Sequence, residues 1–490
     1  MSSGNIPALV LASMILATSV EATVASASPI VTFIGDVALS GNGTDLSGLP
    51  STILEDGVSR QNALNGFGSG IAYTGFASRY LLLADRGPNK VAYPGGAAVD
   101  NTTSYDNRYQ IFDINVSCGS TVSCTPANTS IGANNVGTTL LKNAQGVQFT
   151  GLSTGFSTNP QVQGHRLDPE SIRVAPDGTV YISDEYGPFI YRFDQKGNQL
   201  GALPVPANVT IAKPGATAAA EAPPNNTTGR VTNRGFEGLA ISPDGKTLVA
   251  GLQSPLIQDG GTGALYTRIF VYDLTNPNGQ PKQYLYQLHS TATSISDLVA
   301  LNNGLFLVDE RDGTSGPTGV KQLYEININQ AGVTDLTNTD YGVSAAKSLP
   351  SSGALPAGLT ALSSTLYADI GQLLNAANPF VPNTGGLPDK IEGYAFGPDL
   401  PDGGHLLLAT NDNDFGGTSQ LSGFSNYIFA FEVRDSDFVA QSFPPGFVFP
   451  TPEPPTLLLL AIGFSGWSVM FRRWPFTSTR LRGIRRRRPA

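Results

Sequence analysis

The chain has 490 residues, 56 of them glycine and 35 proline, with only 14% charged side chains. Long helical periodicity is nearly absent, which excludes a helical bundle and favours many short strands joined by turns. The formal net charge is −9, yet eight arginines crowd into the last nineteen residues, and residues 28–471 hold 21 basic against 37 acidic side chains; such a body repels nucleic acid and suits hard cations.

In chain order, Ile6 to Val20 is apolar and Ala25-Ser26-Ala27 offers a small-x-small cleavage pattern, so residues 1–27 read as a secretory leader, although no Lys or Arg precedes the apolar run. Pro29 to Val37 is expected to be a strand that closes a ring from the N-terminal side. Gly66 to Pro88 reads as a hairpin ending in Asp85-Arg86, and Tyr109 to Val116 as an outer strand of the same unit. Ser117 to Asn135 reads as loop. Its two cysteines, Cys118 and Cys124, have no neighbouring histidine and make a poor zinc site; in an exported protein they form a local disulfide. Gly151-Leu152-Ser153-Thr154-Gly155 matches G-x-S-x-G, but no helical pattern follows it, so the match is set aside as chance.

Asp168 to Gly197 reads as three strands, Ser171 to Ala175, Val180 to Ser183 and Ile190 to Phe193, with a Pro176-Asp177-Gly178 turn between the first two. Glu170 stands before the first strand and Asp184-Glu185 after the second. Antiparallel pairing puts these acids on one edge of the sheet. Ala202 to Arg230 lacks periodicity and reads as a surface loop or lid. Asn233 to Leu256 repeats the hairpin plan with Glu237 leading, a Pro243-Asp244-Gly245 turn and Gln253 trailing, followed by a third strand, Thr267 to Tyr272. Ser294 to Gly313 repeats it with Asp297 leading and Asp309-Glu310-Arg311 trailing. Between Ala354 and Asn378 the spacing of Leu359, Leu362, Leu366, Ile370 and Leu373-Leu374 predicts a helix, placed either over the acidic mouth or on the outer side. Asp389 to Asp414 gives the last copy, with Glu392 leading and Asp412 and Asp414 trailing.

Five hairpins with turns at one end and acids at the other predict an all-β, β-propeller-like domain over residues 28–450, with loop insertions and one short helix. One rim then collects Glu170, Glu185, Glu237, Glu310 and Glu392, the catalytic candidates, and Asp85, Asp184, Asp297, Asp412 and Asp414, the metal-ligand candidates. Like charges at close range raise one another's pKa unless a cation intervenes, and all-oxygen ligands select Ca²⁺ or Mg²⁺. Arg86, Arg234, Arg311 and Lys390, interleaved with the acids, suit an anionic substrate. The alternative is that all these charges are inter-blade salt bridges and turn caps.

After the body come Pro452-Glu453-Pro454, an apolar run from Thr456 to Phe471, and arginines at 472, 473 and 485–488. This order resembles the PEP-CTERM sorting signal of exported bacterial proteins. The resemblance implies that residues 451–490 form a sorting tail with a short membrane segment, handled by an exosortase-type protease, and a destination in the envelope or outside the cell. The motif order from DPESIRVAPDGTVYISDEYG through NRGFEGLAISPDG and SISDLVAL to DKIEGYAFGPD, over about Phe67 to Arg434, is similar to the "esterase-like activity of phytase" family. That resemblance implies a propeller-like exported hydrolase of phosphoesters or carboxyl esters, with site residues at the matched acids and bases. The expected function is metal-dependent hydrolysis of a small organic phosphate ester, Ca²⁺ being the expected metal. A lactonase or carboxyl-ester hydrolase on a propeller, and a non-catalytic surface-binding propeller, stand as alternatives.

Overall fold

A computed structural model describes residue 1 and residues 29–41, 43–118, 123–156, 164–343, 347–380, 386–416 and 425–451. The expected leader and sorting tail lie outside the described residues. Among those residues no helix is long and apolar enough to cross a membrane.

Five four-stranded antiparallel sheets form the blades of a propeller. From the axis outward, blade 1 is Phe67–Tyr73, Arg79–Ala84, Arg108–Cys118 and Thr129–Leu140, and blade 2 is Pro169–Val174, Val180–Asp184, Phe189–Phe193 and Gln199–Ala202. Blade 3 is Phe236–Ile241, Thr247–Leu252, Tyr266–Asp273 and Lys282–Gln287, and blade 4 is Ser294–Ala300, Leu305–Arg311, Lys321–Asn327 and Ser364–Asp369. Blade 5 takes Ile391–Phe396, His405–Asn411 and Asn426–Arg434 from the end of the chain and its outermost strand, Ile30–Leu39, from the start. The expected closure of the ring is therefore present, with Ile30 opposite Arg434 and Leu39 opposite Asn426.

Second strands such as Leu305–Arg311 are buried almost throughout because each blade packs on both faces. A hydrophobic cluster fills each of the five gaps between neighbouring blades. Inner strands approach so closely that glycine is required between them. A Cβ on Gly238 would lie 2.6 Å from the Asp297 carbonyl carbon, and one on Gly70 would lie 2.8 Å from the Glu170 carbonyl oxygen.

Across this axis Asp297 ties four blades together. Its Oδ1 accepts from Ser171 Oγ (2.9 Å) and its Oδ2 from the Tyr394 backbone N–H (2.8 Å), while Arg173 Nη2 donates to both oxygens at 2.9 and 2.8 Å. Arg173 Nη1 in turn donates to the Ile71 carbonyl at 2.9 Å. On the far side of the ring from the leading acids, the segment after Arg434 crosses the underside. Val439 N–H bonds Leu301 O in blade 4, Ser442 N–H bonds Pro243 O in blade 3, Gln441 Nε2 bonds Val174 O in blade 2, and Phe449 is buried between blades 1 and 2.

Two expected elements differ. Thr129–Leu140, whose first half falls in the loop expected over Ser117 to Asn135, is the outer strand of blade 1; its Gly132-Ala133-Asn134-Asn135 stretch carries little apolar signal because an edge strand buries only alternate residues. The helix expected over Ala354 to Asn378 is confined to Ile370–Ala377, and Ser364–Asp369 before it is the outer strand of blade 4. Asp369 ends that strand and caps the helix, accepting from the Gln372 N–H. The helix buries Ile370 and Leu374 against blades 4 and 5 and lines no part of the acidic cavity. Ala202 to Arg230 is irregular apart from Ala218–Glu221, as expected. Cys118 and Cys124 are disulfide-bonded.

Asp297→Ala leaves Arg173 buried without its partner and is expected to lower unfolding free energy by about 3–5 kcal/mol. Urea denaturation of the purified body checks this; a loss under about 1 kcal/mol would show that the pair does not hold the ring.

Candidate functional site

Each inner hairpin carries a register shift at the same place, between Phe67 and Gly70, Pro169 and Ile172, Phe236 and Leu239, Ile295 and Leu298, and Ile391 and Gly393. A bulge turns the extra residue out of the ladder and re-aims its side chain. In blades 2, 3 and 5 the first bulged residue is Glu170, Glu237 and Glu392; in blades 1 and 4 it is Gly68 and Ser296. On the second strands the position after the partner of the pre-bulge residue is Asp85, Glu185, Gln253, Arg311 and Asp412 in blades 1 to 5. Two stacked rings of side chains result, one from the bulges and one from the second-strand ends.

A cavity of about 260 Å³ lies among them, lined by Glu170, Glu185, Glu237 and Glu392 together with Arg86, Arg234, Arg311 and Lys390. It opens past the exposed residues Thr262, Thr291 and Ala292. Glu237 accepts from Gln253 Nε2 at 2.7 Å and lies 3.9 Å from Arg311 Nη2, which also pairs with Glu392 Oε1. Arg311 Nε donates to Ser296 Oγ at 2.9 Å. The second carboxylate oxygens of Glu237 and Glu392 are buried and accept no hydrogen bond among the described residues. Beside them, oxygens of Asp168, Glu170 and Glu185 all lie within 4.8 Å of one another. Among the described residues, Arg86 is the one base paired with this group, with Nη2 3.0 Å from Asp168 and 3.4 Å from Glu185. On the blade 1 and 5 side, Lys390 Nζ bridges Asp412 and Asp414, 2.7 Å from each, and Lys90 reaches Asp414 at 3.1 Å.

Burial first, and then the neighbouring acids, hold the Glu170 and Glu185 carboxyls well above the usual range. Burial and the adjacent Glu392 push Glu237 up to about 8 despite Arg311. Asp412 is pushed up to about 7 by burial, against the pull of Lys390, whereas Asp414 is lowered because Lys390 and Lys90 outweigh its partial burial. Asp85, fully buried beside Asp412, is also raised.

Six expected site residues do not line the cavity: Asp85, Asp412 and Asp414 form their own group, which Lys390 ties to the cavity wall, and the other three turn elsewhere. Asp297, expected as a metal ligand, is committed to Arg173. Glu170 precedes the turn residue Pro176 by six positions and Glu237 precedes Pro243 by six, but Asp297 precedes Asn302 by five. That single-residue offset sends its side chain the other way. Asp184, also expected as a ligand, accepts from the Asp168 and Tyr186 N–H groups and shapes the turn. Glu310, expected to be catalytic, occupies the rung equivalent to Asp184 (each is the ladder partner of the residue before the bulge) and bonds Tyr286, His289 and Thr293 instead. Asp168, which no expectation named, stands directly before Pro169; its junction with Pro was the available signal.

Because the folded chain holds Glu237 protonated to about pH 8 and the unfolded chain only to about 4.5, the folded state binds more protons across that window. Stability of cation-free protein is therefore expected to fall as pH rises from about 4.5 to 8, and Glu237→Gln to flatten the fall. Thermal melts across that range decide it: a stability that rises towards pH 8 would contradict the charge crowding described here.

The family described as Phytase-like, esterase-like activity of phytase, matches residues 62–415. An uncharacterized secreted protein of Arthroderma benhamiae is 27% identical over 453 residues, covering 77% of this chain and 84% of its own length. Among solved structures, a luciferin-regenerating enzyme aligns at 12% identity over 80% of this chain and 99% of its own, with a TM-score of 0.32. A gluconolactonase from Xanthomonas campestris aligns at 11% identity over 83% and 95%, with a TM-score of 0.31.

Proposed function

The chain belongs to the Phytase-like family, esterase-like activity of phytase, and from that premise we propose that it is an exported hydrolase of a small phosphate ester, dependent on a divalent cation. The observation that carries this reading is the convergence of Glu170, Glu185, Glu237 and Glu392 from blades 2, 3 and 5 on one water-accessible cavity, with the buried Asp168 grouped beside Glu170 and Glu185. Export is supported by the secreted relative in Arthroderma benhamiae and by the apolar leader pattern.

Asp168, Glu170 and Glu185 are the residues that would hold the cation. Three carboxyls share one arginine and are under-neutralised, Asp168 Oδ2 is buried with the Arg86 ion pair as its contact among the described residues, and the donors are all oxygen, which suits Ca²⁺ or Mg²⁺. When bound, such an ion neutralises negative charge on the phosphoryl oxygens. Glu237 and Glu392 divide the proton work. Glu237, protonated at neutral pH, donates to the departing oxygen of the ester. Glu392 is anchored through Oε1 to Arg311 and leaves Oε2 to take a proton from the attacking water. The water oxygen forms the new bond to phosphorus as the ester bond breaks, so one proton enters Glu392 and one leaves Glu237. Ser153, the serine of the G-x-S-x-G match, donates to the Val99 and Ala216 carbonyls and bonds no base among the described residues, so it is given no part.

Glu237→Gln and Glu392→Gln are each expected to lower turnover of a generic phosphomonoester by about 10²–10⁴-fold with the fold intact. EDTA is expected to abolish turnover and Ca²⁺ or Mg²⁺ to restore it. Turnover of lactones or carboxyl esters alone would move the reading to a carboxyl-ester hydrolase; turnover of neither, with and without cation, would leave a binding propeller.

A further inference from the structure

The four cations of the cavity are not equivalent. Arg86 is held by Asp168 and Glu185, Arg311 by Glu392 and Ser296, and Lys390 by Asp412 and Asp414. Among the described residues, the guanidinium of Arg234 has neither an ion pair nor a hydrogen bond. The internal segments outside the described residues contain no Asp or Glu to supply a partner. Its backbone is nonetheless fixed. The Arg234 N–H bonds Val231 O at 3.1 Å, Asn233 turns the chain with φ +54°, and the inner strand of blade 3 starts two residues on.

A second observation lies on the same wall. Gln253 and Ser254, 6% and 3% exposed, line the cavity, and among the described residues Gln253 Oε1 and Ser254 Oγ have no hydrogen-bond partner. Buried polar atoms left unmade are costly and mark places where a ligand or water completes the bonding. Each additional negative charge on a ligand would meet the carboxyls of Glu170, Glu185, Glu237 and Glu392, with Arg234 alone uncommitted. The cavity, at about 260 Å³, is also at the small end for ligand sites, which run from about 300 to 1,000 Å³.

We propose that Arg234 is the specificity-determining residue of the cavity and that the ligand is a small polyol bearing one anionic group, bound through that group to Arg234 and through hydroxyls to Gln253 and Ser254. A polyanion such as a fully phosphorylated inositol is disfavoured. That the ligand is a substrate rests on the hydrolase reading; its recognition does not.

Calorimetric titration of the intact protein with D-gluconate, glucose 6-phosphate, myo-inositol and myo-inositol hexakisphosphate tests this at fixed Ca²⁺. At least one of the first two is expected to bind, ten-fold or more above the neutral inositol and the hexakisphosphate, and which one binds tells carboxylate from phosphate recognition. Arg234→Gln is expected to weaken that binding at least ten-fold and Arg234→Lys to restore part of it. Unchanged affinity in Arg234→Gln, preference for the hexakisphosphate, or no binding of either polyol with one anionic group overturns the proposal. Arg234-dependent binding with no hydrolysis of any ester removes the hydrolase reading and leaves this inference standing. Hydrolysis that is insensitive to Arg234→Gln does the reverse.

Discussion

Five inner strands converge on one axis with too little room for ordinary side chains, and the Arg173–Asp297 pair occupies what room there is. Glycines at 70 and 238 let the strands approach, and Asp297 then gathers donors from blades 2, 4 and 5 while Arg173 reaches blade 1. A buried ion pair is weak evidence of stability in itself, but one whose carboxylate oxygens and terminal guanidinium nitrogens bond groups in blades 1, 2 and 5 fixes the mutual register of the blades. That register decides which carboxylates meet. The strap from Val439 to Phe449 covers the opposite end of the ring, so the acidic cavity opens on one side alone.

Strand register also sorts the charges by role. Glutamates at the bulges line the cavity together with Glu185, Gln253 and Arg311 from the second strands, whereas Asp184 and Glu310, one position away, bond the turns and shoulders of the blades. Glu237 and Glu392 thus meet across Arg311, while Glu310 and Asp184, neighbours in sequence of Arg311 and Glu185, organise loops. Glu310 holds the wall of the cavity in place by bonding both the N–H and the ring of His289 and the hydroxyl of Thr293. Burial and the neighbouring Glu392 keep the Glu237 carboxyl protonated up to about pH 8, the condition under which a carboxyl acts as an acid at neutral pH.

Much of this was legible in the sequence because turn chemistry is local. Pro176-Asp177-Gly178 and Pro243-Asp244-Gly245 mark their hairpins, and acids at the opposite ends placed Glu170, Glu185, Glu237 and Glu392 on one rim. The N-terminal strand of blade 5 was readable from the closure rule of ring folds. What escaped was set by long-range pairing or by counting. Thr129–Leu140 is a strand only because Arg108–Cys118 offers it an edge, and Ser364–Asp369 pairs with Lys321–Asn327 against its own helical spacing. The offset of Asp297 was present in the distance to its turn, but the repeats had been aligned on their acids. The commitments of Arg86, Arg311 and Lys390 depend on distances between blades that no local pattern carries.

The central claim is that Asp168, Glu170 and Glu185 together hold one divalent cation at the cavity. Anomalous diffraction from crystals of the mature body soaked in Mn²⁺ tests it most directly, since the ion itself scatters. The account predicts a single strong peak within about 2.0–2.6 Å of oxygens from these three residues. A peak only at Asp85, Asp412 and Asp414, or no peak on the cavity side of the ring, would contradict it.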